Sequence, residues 1–318
     1  MTFLLGLEKL TKEEKISLLS QIEALNTSTL LNDTAQKYSK KGKDFLLKAT
    51  ANIAKRFSED TGKQINDFNT NTDWNPEILQ KKIQEKYSFF STLDEVELSK
   101  ILLKKIQEIA DFKSQVSNEV MANGIVHRAA KVLKIDSRSY LNNISLEDAV
   151  FEECIKEQIE LIKKTINKMD KNELDKLEEL LNAELSKLNS AQQEVIKKTL
   201  KVDQISGQAM ITFIKTVSSA AMLQMILSGF GFSFFLFITT FMKALSLLLG
   251  VTFSFGAYTA VTSAFSFLLS IPFLLIMILI SGGIITKLTN NKIDDEIAKL
   301  LIIIGRNRLL LESWASPK

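Results

Sequence analysis

Between Lys215 and Lys287 the chain carries a single side chain that is charged at neutral pH, Lys243. The intervening stretch, 216–286, is 71 residues long. As one helix rising about 1.5 Å per residue it would run ~107 Å, more than three times a hydrocarbon core of about 30 Å. A chain with such a block must hand it to a bilayer or enclose it in protein. Composition alone hides this, because 46% hydrophobic and 24% charged residues are ordinary globular values. The average conceals two unlike parts. Residues 1–205 hold 32 basic and 33 acidic side chains, whereas 206–318 hold 8 and 4, so the net charge of +3 arises wholly from the second part.

Two apolar cores lie inside the block. The first, 231–249, is 19 residues with one Lys, and the second, 258–280, is 23 residues with no charge, so each has the length of a membrane span. Upstream, 209–227 reads as one amphipathic helix, with Met210, Ile214, Val217, Ala221 and Met225 on one face and Thr212, Lys215 and Ser219 on the other. Lys197, Lys198, Lys201 and Lys215 precede the block, and Lys287, Lys292, Lys299, Arg306 and Arg308 follow it. Basic flanks on both sides favour the cytoplasmic face at both ends and therefore an even number of crossings. Two spans are expected first. Four shorter ones, broken near Gly229, Gly250 and Pro272, are the alternative.

In this block and at its edge, Lys243, Lys215, Gly229, Gly231, Gly250 and Pro272 are the candidate membrane-functional residues. An ionisable group in a span usually faces a cavity or a partner. Lys243 lies six residues before Leu249, so its stem also allows its ammonium to snorkel to the interface. The glycines and Pro272 read as breakers or hinges rather than close-packing motifs, since no Gly-xxx-Gly pair stands inside a span.

The preceding 205 residues read as a helical bundle with no strand pattern. Thr11 with Glu14, Thr92 with Glu95, Ser145 with Asp148, Asp170 with Glu173 and Ser190 with Gln193 are box-like starts, and Asn75-Pro76 is another start. Apolar residues follow at helical spacing, as in Leu98, Leu102, Ile106 and Ile109, or Phe151, Ile155, Ile159, Ile162 and Ile166. Residues 58–75, rich in Asn, Asp and Thr, are expected to form a loop, with Phe68 and Trp74 tucked onto a helix or contacting a partner. The region 146–188 predicts a helical hairpin turning near Asp170, with an intermolecular coiled coil as the alternative. After the block, Asn291 is positioned to cap a helix whose Ile293, Ile297, Leu300, Leu301 and Ile304 share a face. This 289–318 segment either lies on the membrane or packs back on the bundle, and Trp314 suits an interfacial anchor.

Catalytic, cofactor and metal sites are not expected. The chain has one His, His127, and one Cys, Cys154. That excludes an internal disulfide and multi-His metal centres, and leaves one candidate imidazole base. His127 reads as a surface or structural residue, and Cys154 as core or its boundary. GFGFSF at 229–234 lacks the third glycine and the preceding strand of a nucleotide-binding loop. The basic residues of the first part are matched by acids at helical spacing, so no nucleic acid partner is expected. The opening MTFLLGLEKLTKEEK has too short an apolar run, and no basic start, for a secretory signal.

The order of segments resembles the uncharacterised bacterial YaaW family. The resemblance is carried by NGIVHRAAKVLKID (123–136), the helical pair at 144–181 with Lys168-Met169 at its turn, VTFSFGAYTAVTSAFSFLLSIPF (251–273) and IAKLLIIIGRNRLL (297–310). It covers roughly the last 200 residues, and where that family has a Gly-Pro turn followed by Gly-Trp, this chain reads Ser270-Ile271-Pro272-Phe273. The resemblance implies an α-helical fold with a hydrophobic C-terminal region, and it implies no activity.

The resulting expectation is an all-α, non-enzymatic protein of three regions. Residues 1–205 form a cytoplasmic helical domain, 206–288 a hydrophobic transmembrane hairpin region, and 289–318 an amphipathic helix and tail. The first domain would regulate an inner-membrane hairpin that perturbs the bilayer or forms pores. The expected partners are the lipid bilayer, further copies in a homo-oligomer, and a protein bound through the N-terminal domain. The alternative is a soluble cytoplasmic adaptor that buries the hairpins in its own core.

Overall fold

A computed structural model of the chain describes residues 1–25, 76–227, 231–248 and 290–315. Every regular element among them is helical: α1 (Thr2–Glu8), α2 (Lys12–Ala24), α3 (Pro76–Ser91), α4 (Glu95–Ile109), α5 (Asn118–Val132), a 3-10 turn (Ser137–Ser139), α6 (Asn143–Asn167), α7 (Lys171–Ser186), α8 (Ser190–Leu200), α9 (Gly207–Thr216), α10 (Ser219–Leu227), α11 (Gly231–Leu248) and α12 (Asn290–Ala315). The all-α class expected from the sequence therefore holds among the described residues. None of these helices is long and apolar enough to cross a membrane. The 58–75 loop with Phe68 and Trp74, the 258–280 core, Gly229, Gly250 and Pro272 lie outside the described residues.

The helices fall into two compact units. The first holds α1 to α5, α6 as far as Cys154, and α12 as far as Ser313; the second holds α6 from Ile155 onward and α7 to α11. In the first unit α2 packs on α3 and α4, and α4 packs on α5. The periodic residues fill its interior: Ile16, Leu19 and Ile22 of α2, Leu98, Leu102, Ile106 and Ile109 of α4, and Ile125, Ala129 and Val126 of α5 are buried. The segment after the hydrophobic block packs back into this unit rather than presenting one stripe outward. Ile293, Ile297, Leu300, Leu301 and Ile304 of α12 are buried, and so are Ile302 and Ile303 on the other side. A helix apolar on most of its circumference belongs inside a core.

The helix starts follow the strongest local acceptor. At α2, Thr11 accepts from the Glu14 amide at 3.3 Å and the Glu14 carboxylate accepts from the Thr11 amide at 2.7 Å. Thr11→Ala is expected to cost about 1 kcal/mol in a urea melt, the usual worth of such a cap; no change would mean that another group takes over the Glu14 amide. Asp170 and Glu173 make the same reciprocal pair at α7. Three other starts differ from the sequence expectation. The cap of α4 is Asp94 with Glu97, because the Thr92 hydroxyl is spent on the Phe89 carbonyl at the end of α3. The cap of α8 is Asn189 with Gln192, because the Gln193 amide closes α7 through the Leu185 and Leu188 carbonyls. Helix α6 starts at Asn143, where Asn142 Oδ1 accepts from both the amide and the hydroxyl of Ser145.

The single amphipathic helix expected over 209–227 is two helices. Helix α9 ends with Val217 in an extended conformation, and Ser218 then caps α10 by accepting from the Ala221 amide at 3.2 Å. Lys163 of α6 donates to the Val217 carbonyl that the break sets free. Breaking the helix also breaks the expected face: Met210 and Ile214 are buried, but Ala221 is exposed and Met222 and Leu223 are buried in its place.

Candidate functional site

The longest described helix of the hydrophobic block, α11, lies inside the second unit. Helices α7, α8 and α10 pack on it, and α7 and α8 also contact α9. Helix α7 supplies the first face because its charged residues alternate with Leu177, Leu181 and Leu185, which are buried, so one side can cover an apolar helix while the other stays in water. On α11, Phe234, Leu236, Phe237, Phe241, Met242, Ala244 and Leu245 are buried. Each large side chain among them contributes roughly 1.5–3 kcal/mol by leaving water. Phe213 of α9 meets Phe237 edge to face, with ring centroids 5.2 Å apart, and Phe234 and Phe241 continue the aromatic row.

Two hydroxyls of α11 turn back onto its own backbone. Thr239 and Thr240 are buried, and both hydroxyls donate back to the Leu236 carbonyl, at 3.0 and 2.8 Å. Lys243 is half-buried; desolvation disfavours its charge, Glu184 of α7 attracts it and Lys187 repels it. Glu184 is itself buried and forms an ion pair with Lys187. Of the other candidates, Lys215 is half-buried in the last turn of α9, and Gly231 is the first residue of α11. Close approach is instead provided by Gly207, which sequence reading did not single out. A Cβ there would lie 2.5 Å from the Glu178 carbonyl oxygen, and the Gly207 amide donates to Asn182 Oδ1 at 2.8 Å.

A second polar constellation lies in the first unit and was invisible in the sequence. Glu147 near the start of α6 is fully buried. Its carboxylate accepts from the Thr2 amide at 2.9 Å, from the Phe3 amide at 2.7 Å and from the Thr2 hydroxyl. It therefore caps α1 from a distance of 144 residues along the chain, a service that Met1 at the N-cap does not perform with its own side chain. Arg306 of α12 completes the cluster. Its Nη1 lies 2.6 Å from Asp148, 3.4 Å from Glu147 and 2.8 Å from the Thr2 hydroxyl, and its guanidinium stands 5.3 Å from the centre of the Phe151 ring. Beside it α1 and α12 cross with their backbones touching. A Cβ on Gly6 would fall 1.8 Å from the Gly305 oxygen, and one on Gly305 would fall 2.0 Å from the Phe3 oxygen.

The other end of α12 is held by Arg128 of α5, which lies 2.6 Å from Asp295 and 3.9 Å from Asp294 and also donates to the Ile109 carbonyl. Ile22, Glu23, Lys105, Glu108, Ile109, Ile293, Asp294 and Ile297 surround a small cavity of about 150 Å³ there. Burial raises the Asp294 pKa above its ordinary 3.8, Arg128 lowers it, and the neighbouring Asp295 and Asp111 charges raise it again. Burial pulls Lys105 down, but its hydrogen bonds to Glu108 and Glu23 outweigh this and raise it. The folded state therefore favours protonated Asp294. The stability this brings is fully present in acid, below pH 3.8, and is lost as pH rises through the raised value. Asp294→Asn is expected to flatten that loss, making the variant gain on the natural chain between acid and neutral pH in urea melts. A larger loss in the variant at neutral pH would show that the Arg128 attraction dominates.

His127 is exposed on α5 and Cys154 is buried on α6, in accord with the surface and core readings. Among the described residues no cluster of His, Cys, Asp and Glu is arranged to hold a metal ion. No protein-family model, curated protein or solved structure matches the chain.

Proposed function

We propose that this is a non-enzymatic, membrane-active helical protein that stores its hydrophobic segment inside its own fold and transfers it to a lipid bilayer. The observation that carries the reading is the burial of Phe234, Phe237, Phe241 and Leu245 of α11, on which the charge-bearing helices α7 and α8 pack together with the uncharged α10. Transfer from such a core to lipid exchanges one apolar environment for another, so the hydrophobic gain of α11 is kept rather than lost. The Thr239 and Thr240 hydroxyls donate within the helix, and Lys243 stands near the C-terminal end, where its stem reaches an interface. At 18 residues α11 is ~27 Å long, slightly short of a hydrocarbon core of about 30 Å. Insertion would therefore recruit further residues of the block. The basic flanks favour the inner membrane with both flanks on the cytoplasmic side, and self-association in the bilayer would let Lys243 and Lys215 face a polar interior.

Flotation of the full chain with vesicles of phosphatidylethanolamine and phosphatidylglycerol, containing a self-quenched dye, tests this. The expected result is co-flotation resistant to carbonate, with dye release that grows with the protein-to-lipid ratio. A protein that stays at the bottom of the gradient and releases no dye at any ratio would overturn it. That outcome would favour a soluble adaptor that keeps the block enclosed.

A further inference from the structure

We propose that α1 and α12 open and close as a single element, latched by Arg306, and that this opening is what frees the segment next to the hydrophobic block. The coupling stands on the first unit's geometry alone; its link to release rests on the membrane-active reading.

Helix α1 cannot stand by itself. It has seven residues, and isolated helices below about 12–15 residues are marginal in water. Its Thr2 and Phe3 amides donate to Glu147, whose side chain is fully buried and whose negative charge is compensated by Arg306 of α12. Withdrawing Arg306 leaves a buried anion, which is costly enough to drive the site open. Opening the site removes the cap of α1. The reverse coupling is steric: where Gly6 and Gly305 meet, there is no side chain to yield between the two backbones. Neither helix can shift gradually past the other, so the contact is either made or broken. Packed contacts of this kind are bistable rather than continuously deformable.

Its position gives the latch a consequence. Helix α12 is the element that follows the hydrophobic block, and its start is tethered by Arg128 while Arg306 holds its later turns. The polar cluster is also reachable from solvent: the Asp148 side chain is 47% exposed, so water and salt have access to the outer edge of the pair. A latch made of charge-assisted bonds is thus placed where a bilayer or a competing ligand could undo it without unfolding the apolar interior.

Hydrogen exchange on the full chain, followed by mass spectrometry, tests the coupling, with Arg306→Met removing the charge at similar volume. Exchange in Thr2–Glu8 and Asn290–Ala315 is expected to rise together by about tenfold or more, the scale of losing hydrogen bonds to charged groups. Exchange in Glu95–Ile109 and Lys171–Ser186 should remain within about twofold of the natural chain. Adding Glu147→Gln to Arg306→Met is expected to restore most of the protection, since no uncompensated buried charge remains. A rise confined to one of the two helices, or spread evenly through Glu95–Ile109, or no recovery in the double variant, would overturn the latch. The same samples are floated with the vesicles described above. More bound Arg306→Met than natural chain supports the link to release, and equal, measurable binding by both overturns that link. If the two helices open together but neither protein binds, the coupling is upheld and the membrane-active reading fails.

Discussion

Gly305→Ala is expected to destabilise the chain by about 2 kcal/mol net. Two effects oppose each other. Within a helix, Ala is preferred over Gly by about 1 kcal/mol, and Gly305 lies well inside α12. Against this, the added Cβ would lie 2.0 Å from the Phe3 carbonyl oxygen, 2.7 Å from its carbon and 2.9 Å from its Cα. All three are backbone atoms of α1, which cannot rotate out of the way. Overpacking typically costs 1–3 kcal/mol, and a backbone neighbour belongs at or above the top of that range, at about 3 kcal/mol. The steric effect wins. Urea denaturation followed by circular dichroism is the measurement, and a variant as stable as the natural chain would show that α1 and α12 do not cross at this distance. Gly124→Ala is the instructive contrast: its nearest neighbour is the edge of the Phe112 ring at 2.8 Å, a side chain that can swing aside. Its loss should be well below that of Gly305→Ala.

Glu147→Ala is expected to cost more, about 3–5 kcal/mol, the usual penalty for breaking a buried ion pair from one side. The truncation strands the Thr2 and Phe3 amides in a buried place and leaves Arg306 with Asp148, which is half in water. Glu147→Gln keeps one acceptor oxygen for those amides, so a smaller loss is expected. An alanine variant that loses less than about 1 kcal/mol would be typical of a surface position, and would exclude Glu147 as the cap of α1.

The legible parts of the fold are those encoded within one or two turns. The apolar spacing of Leu98, Leu102, Ile106 and Ile109 specifies which side of α4 is inside, and all four are buried. Thr11 with Glu14 and Asp170 with Glu173 are read correctly because no rival acceptor stands beside them. Where two overlapping boxes exist, the sequence offers both and only long-range demand chooses. Thr92 and Gln193 look like members of a start signal, yet each is consumed in ending the preceding helix. Asp148 looks like part of a capping pattern and is instead the partner of Arg306.

The candidate site divides in the same way. The apolar block and its lone Lys243 are evident from composition along the chain. The attraction of Glu184 on Lys243, the approach of α9 to α7 at Gly207, and the cluster around Glu147 are not, because each joins residues with no fixed spacing. A short ISLEDAV segment gives no sign that Glu147 will be fully buried while its neighbour Asp148 is half exposed.

The sequence by itself determined that the chain is helical, that its charges are balanced along the first part, and that a long apolar block interrupts them. These follow from local periodicity and from the cost of placing charge in an apolar surrounding. Tertiary structure alone decided what covers α11 and where the helix after the block goes. Both are set by which apolar faces and buried charges find each other across long stretches of chain. The helix rich in Ile, for which the sequence leaves the membrane surface open, is buried by its apolar circumference and held in place where Arg306 and Arg128 meet their carboxylates and Gly305 admits α1 to touching distance.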